Sequence, residues 1–79
     1  MTDAEIIAAV HEVARTHLKS DAEIGLQTPL VEALALDSLR MITLVAELEN
    51  RLQICFESGD EVGLVTLADL IALVRRRLP

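Results

Sequence analysis

The feature that most constrains this chain is its single aromatic residue. Phe56 is alone, with no Trp or Tyr, in a sequence whose residues are 52% apolar. The interior must therefore be built from Leu, Ile, Val and Ala. An antiparallel sheet favours aromatic and β-branched residues, whereas aliphatic side chains at helical spacing pack well as a bundle. At 79 residues the chain is long enough for one domain and a small core, so residues 1–79 are read as a single unit. A buried active site with its own cofactor fold would not fit.

The periodicity agrees. Thr2 and Glu5 have capping-box spacing, and Ile6, Val10, Val13, Ala14 and Leu18 follow at helical intervals, which predicts a helix over about 3–18. A long connection, 19–36, comes next, punctuated by Gly25 and Thr28-Pro29. Ile24, Leu26, Leu30, Leu34 and Leu36 make it apolar enough to fold back over the bundle. A second helix starts near Asp37-Ser38 and runs to about Leu52. Met41, Leu44, Val45, Leu48 and Leu52 form its core face. Leu39, Ile42 and Ala46 form a second apolar stripe, part of which is expected to stay exposed. In the loop 53–65, Ser58-Gly59-Asp60 marks a turn, and Asp60 to Gly63 can hold one short helical turn. Thr66 and Asp69 cap a last helix whose buried face is Leu67, Leu70, Ile71, Val74 and Leu78. Arg75, Arg76 and Arg77 complement the negative end of its dipole, and Pro79 ends the chain.

Charge narrows the possible partners. Thirteen acidic residues against seven basic ones give −6 at neutral pH. An acidic chain without interleaved aromatics is a poor nucleic-acid binder, and anionic membrane surfaces repel it too. The sequence contains no apolar run long enough to cross a bilayer and no secretory-signal pattern, so a cytoplasmic protein is expected; it is also expected to be a monomer. The single cysteine, Cys55, excludes an internal disulfide. Between Ile54 and Phe56 it reads as a small buried hydrophobe. His11 and His17, six residues apart, do not share a helix face and read as surface imidazoles. No metal-ligand set, Gly-rich phosphate loop or base for a nucleophilic serine is apparent, so neither a catalytic residue nor a metal site is expected.

One segment remains, Leu34-Ala35-Leu36-Asp37-Ser38-Leu39. Asp37 or Ser38 must cap the second helix. A serine hydroxyl at a helix N-terminus is also well placed to carry a phosphate ester, because the free amides and the positive dipole end favour its charge.

The stretch LALDSLRMITLVAELENRL, within a short acidic helical chain, resembles the carrier-protein family, the acyl carrier proteins and their peptidyl and aminoacyl relatives. The similarity spans nearly the whole chain, including Thr28-Pro29-Leu30 and the capped last helix. It implies an all-α four-helix bundle with three long helices, a short third helix and a long ordered loop between helices 1 and 2. It also implies that Ser38 receives 4′-phosphopantetheine from coenzyme A through a phosphopantetheinyl transferase, and that the protein is not itself an enzyme. Acyl or aminoacyl groups would ride on that arm as thioesters, from a loading enzyme to a downstream synthase or transferase. By the same resemblance Asp37 meets the transferase or its metal. Leu39, Ile42 and Ala46 pack against partners, and Glu47, Glu49, Asp60 and Glu61 meet basic partner surfaces.

Several positions depart from the commonest fatty-acid pattern. Ala35 stands where glycine is usual, and Arg40 and Thr43 stand where acids are frequent. Gln53 and Val62 are neutral at positions that tend to be acidic. These departures point to a specialised carrier. Two other readings compete, a helical adaptor in which Ser38 is only a cap and, more remotely, a small serine hydrolase. The cargo could lie sheltered between the aliphatic helices or stay outside.

Overall fold

The computed structural model describes residues 1–78; Pro79, read above as the end of the chain, lies outside the described residues. Four α-helices, α1 (Asp3–His17), α2 (Leu30–Ala33), α3 (Ser38–Leu52) and α4 (Leu67–Arg77), are joined by loops and one 3-10 turn, Asp60–Gly63. The helix packing places α1 against both α3 and α4.

The capping box of α1 forms as its spacing predicts. Thr2 Oγ1 accepts the Glu5 N–H at 3.2 Å, and Glu5 Oε1 accepts the Thr2 N–H at 2.8 Å. Those two bonds satisfy amides that a helix start leaves open. They also hold the Glu5 carboxyl below its ordinary pKa. One face of α1 buries Ile6, Ala9, Val10, Val13 and Ala14, and Leu18 caps the helix end.

The long connection is ordered, and it carries a helix of its own, α2, which its apolar residues alone did not mark. Pro29 precedes α2, and its fixed φ suits a helix entry. Two backbone bonds staple the segment to the start of α4. Leu30 N–H donates to Val65 O at 2.8 Å, and Ala68 N–H donates to Leu26 O at 2.9 Å. Pro29 and Thr66 complete an isolated antiparallel bridge. Ile24, Leu30 and Leu34 are buried as expected. Leu26 corrects the expectation, since its side chain is half exposed and only its carbonyl docks.

On α3, Leu44, Leu48 and Leu52 are buried. Met41 and Val45, expected on the same core face, are only partly covered and edge a surface groove. After the left-handed Gln53, the chain alternates, with Ile54 buried, Cys55 exposed and Phe56 partly buried. Cys55 is therefore not the buried hydrophobe that its neighbours suggested.

The 3-10 turn occupies the position expected for a short third helix. Gly59, with φ at 92°, opens it. At α4, Thr66 and Asp69 form the second capping box, and Leu67, Leu70, Ile71 and Val74 are buried as predicted. Leu73 joins them at 2% exposure, which the predicted face omitted, while Leu78 lies past the helix end and is partly covered. All three terminal arginines lie in the last turn, and two of them have specific partners. Arg75 pairs with Asp3. Arg77 clamps Asp60 through Nε and Nη2 at 2.8 and 2.7 Å, and it reaches Glu57 at 3.1 Å. That fork ties the 3-10 turn to the end of α4. Every buried side chain among the described residues is apolar.

Candidate functional site

The N-terminus of α3 is where chemistry can sit. Asp37 is the N-cap, in extended conformation, and its Oδ1 accepts the Arg40 N–H at 2.8 Å. Its carbonyl accepts the Met41 N–H at 2.9 Å. The cap is thus supplied by Asp37, which leaves Ser38 as the first helical residue with its side chain exposed. Among the described residues no bond to the Ser38 hydroxyl occurs, and none uses the N–H groups of Ser38 or Leu39. The hydroxyl stands beside two open amides at the positive end of a 15-residue helix. A phosphodiester fits that setting: its charge would meet unspent donors, and its bulk would meet solvent.

The turn that delivers Ser38 is shaped by α2. Leu34 caps that helix, and Leu36 N–H donates back to Val31 O at 2.9 Å. Ala35 between them has φ at 51°. The position is left-handed, so alanine keeps the backbone shape that glycine would adopt without strain.

A groove of about 610 Å³ runs from Ser38 along α3. Leu36, Met41, Ile42, Val45 and Ala46 give it an apolar floor, and Asp37, Glu49 and Glu61 give it acidic points. Glu49 lies about 16 Å along the helix axis from Ser38, at 1.5 Å per residue. Beyond it a smaller cavity of about 220 Å³ shares Val45, Glu49 and Glu61 with the groove and ends on Phe56 and Leu73. Leu39, next to Ser38 in the chain, and Ile42, in the groove lining, are 72% and 64% exposed, too much for core positions.

The residues predicted for partner recognition are thus only partly brought together. Asp37, Ile42, Ala46, Glu49 and Glu61 line the groove beside Ser38, whereas Leu39 is exposed but is not part of that lining. Glu47 does not. It is nine residues from Ser38, half a helical revolution away, and its carboxylate lies 3.2 Å from His17 of α1. Glu49 Oε2 is engaged by the Phe56 N–H at 2.9 Å. Asp60 is held by Arg77 and by the Glu57 N–H, which together draw its pKa down from 3.8 to about 2. Glu61 is exposed.

Met41 and Val45 line the groove although their periodicity read as core, and Leu36, expected only to fold back over the bundle, lines it as well. Arg40 was missed in another way. Its guanidinium turns inward to the carbonyls of Leu18 and Leu34, and the one available signal was a cation in the first turn of a helix, where the dipole disfavours it.

Comparison with known proteins bears on this site. Residues 4–74 match the family described as "Phosphopantetheine attachment site". An acyl carrier protein of an Exiguobacterium species (strain AT1b) is 30% identical over 79 residues, covering 99% of this chain and 100% of that one. The acyl carrier protein of Exiguobacterium sibiricum is 29% identical with the same coverage. A solved structure described as an acyl carrier protein from Mycobacterium tuberculosis superposes with a TM-score of 0.73 at 27% identity, over 94% of this chain and 95% of that one.

Proposed function

The chain belongs to the acyl carrier protein family, whose members bear a covalent 4′-phosphopantetheine and are carriers, not catalysts, and from there we propose that Ser38 is the residue that bears it. The observation that carries this reading is the capping of α3 by Asp37, which leaves the neighbouring hydroxyl exposed and unbonded. When bound, the group supplies a terminal thiol that holds acyl cargo as a thioester.

The chain's own residues supply address and orientation. The amides of Ser38 and Leu39 favour the phosphodiester charge, and Asp37 keeps those donors free by spending its carboxylate on Arg40. Leu39 and Ile42 offer partners a small apolar surface, with Ala46 beside them and Glu61 as an exposed acid on the rim. Small interfaces of this kind suit a carrier that must bind and leave several enzymes in turn, with charge guiding encounter. Tethering keeps the cargo at high local concentration during each visit.

Carrier proteins work with a phosphopantetheinyl transferase and with synthase-type partners. For this chain we favour a specialised acyl or aminoacyl pathway over housekeeping fatty-acid synthesis. Arg40 and Thr43 reduce the negative charge near Ser38, and Glu47, Glu49 and Asp60 are engaged within the chain. Asp37 and Glu61 remain as the site's exposed acids. The apolar groove and the cavity ending on Phe56 favour sheltering of a short aliphatic cargo. We take residues 1–79 to act as one domain and as a monomer in the cytoplasm. No helix of the described residues is long and apolar enough to cross a membrane.

The test is transfer from a fluorescent coenzyme A analogue by a promiscuous phosphopantetheinyl transferase. Wild-type protein is expected to become labelled and Ser38→Ala to remain dark. Labelling of the Ser38→Ala variant would move the attachment elsewhere. Spectral shifts on acyl loading that reach Phe56 and Leu73 would support sheltering, whereas shifts confined to the start of α3 would reject it.

A further inference from the structure

We propose that Arg40 is a positioning residue for the attachment hydroxyl, an inference that rests on the assignment of Ser38. Arg40 lies in the first turn of α3, where the partial charge of the helix end is positive and a cation is locally disfavoured. Its guanidinium is not left there. Nη2 donates to Leu18 O at 2.9 Å and to Leu34 O at 2.9 Å, and Nε donates to Leu34 O at 3.2 Å. Leu18 caps the end of α1 and Leu34 caps the end of α2. Both carbonyls lie at negative helix ends, where a cation is favoured. One side chain therefore joins the exits of two helices to the entry of a third.

The backbone of the same residue completes the arrangement. Its N–H is the donor to Asp37 Oδ1. Only Ala35, Leu36 and Asp37 separate the clamped Leu34 carbonyl from Ser38, and Ala35 holds a left-handed conformation that alanine adopts at a cost. Arg40 thus fixes the short turn at both ends, through Leu34 on one side and Asp37 on the other. The direction in which Ser38 presents its hydroxyl depends on that turn. The planar fork of arginine reaches two carbonyls at once, which the single ammonium of lysine does not reproduce with the same geometry.

The test measures phosphopantetheine transfer from coenzyme A to wild type, Arg40→Lys and Arg40→Met, with KM and kcat for the carrier determined separately on samples shown by circular dichroism to be folded. Misplacement of an attacking oxygen lowers the chemical rate, so both variants are expected to lose about tenfold in kcat with KM within about twofold of wild type. A purely structural role would lower the folded fraction and leave kcat per folded molecule unchanged, and that result would overturn the proposal. A loss confined to KM and restored by lysine would overturn it as well, because it would make Arg40 a charge contact for the transferase. A measurement on wild type stands apart from variant folding: the Arg40 Nε proton is expected to exchange slowly with solvent, and free exchange would count against the clamp. If wild type itself takes no phosphopantetheine, the assignment of Ser38 fails. If wild type and both variants react alike, only the role of Arg40 fails.

Discussion

The carboxylate of Asp37 does the capping that the hydroxyl of Ser38 would otherwise be available to do. Asp37 Oδ1 accepts the Arg40 N–H at 2.8 Å, and Ser38 is left one residue inside α3 with an exposed side chain. A helix N-terminus usually spends its best oxygen on its own amides. Here the two jobs fall to adjacent residues, so the helix is capped and the alcohol stays open to esterification. The same division separates the carrier from an adaptor in which Ser38 only starts a helix. Removing the hydroxyl should change stability by less than about 0.5 kcal/mol, as for other surface positions, while removing the function.

Ala35 is expected to report the strain in the turn before the site. Its φ of 51° costs an L-residue about 1–2 kcal/mol, and glycine gives back about half of that through its own entropy. Ala35→Gly should therefore stabilise the fold by about 0.5–1 kcal/mol and raise Tm by a few degrees. Calorimetry of the two proteins checks this, and a lower Tm for the glycine variant would show that the turn is not left-handed in solution.

How much of this was legible in the sequence depended on distance along the chain. Thr2 with Glu5 and Thr66 with Asp69 are three residues apart, and their capping boxes could be read directly. The turn at Asp60–Gly63 and the exposed stripe of Leu39 and Ile42 were visible for the same reason, since each is a local pattern. Helix α2 was not, because it is a single turn held partly by the bond from Leu30 to Val65. The clamp of Arg40 on Leu18 spans twenty-two positions, and the pairing of Arg77 with Asp60 spans seventeen. No periodicity encodes either. The intramolecular partners of Asp60 were therefore not legible, and Cys55 read as buried until the packing of the 53–65 segment was known.

The Arg77–Asp60 fork predicts a specific acid response. The folded-state pKa of Asp60 is about 2, below its ordinary 3.8, with hydrogen bonds from Arg77 as the largest cause. A depressed carboxyl adds stability above its unfolded value, and that stability is lost as pH falls through the folded value. Asp60→Asn should accordingly have a lower urea midpoint than wild type near neutral pH. The gap should close as pH drops from about 4 towards 2. A gap that is absent at neutral pH, or one that persists unchanged in strong acid, would contradict the pairing. The same fork ties the 3-10 turn to the end of α4, so the Asn variant should also loosen the turn that carries Glu61.

Ile42 separates surface function from folding. It is 64% exposed, so Ile42→Asp should leave Tm nearly unchanged. Loss of an apolar anchor worth about 1 kcal/mol would raise KM for the transferase roughly fivefold with little change in kcat. Steady-state kinetics on the carrier provide the check. An unchanged KM would remove Ile42 from the docking surface.

The central claim concerns one oxygen, and fragment mass spectrometry reads it directly. After reaction with coenzyme A and a phosphopantetheinyl transferase, the intact protein should gain the mass of a single phosphopantetheine, and fragmentation should place that mass on Ser38. An unmodified wild-type protein, or an adduct located on any other residue, would contradict the account.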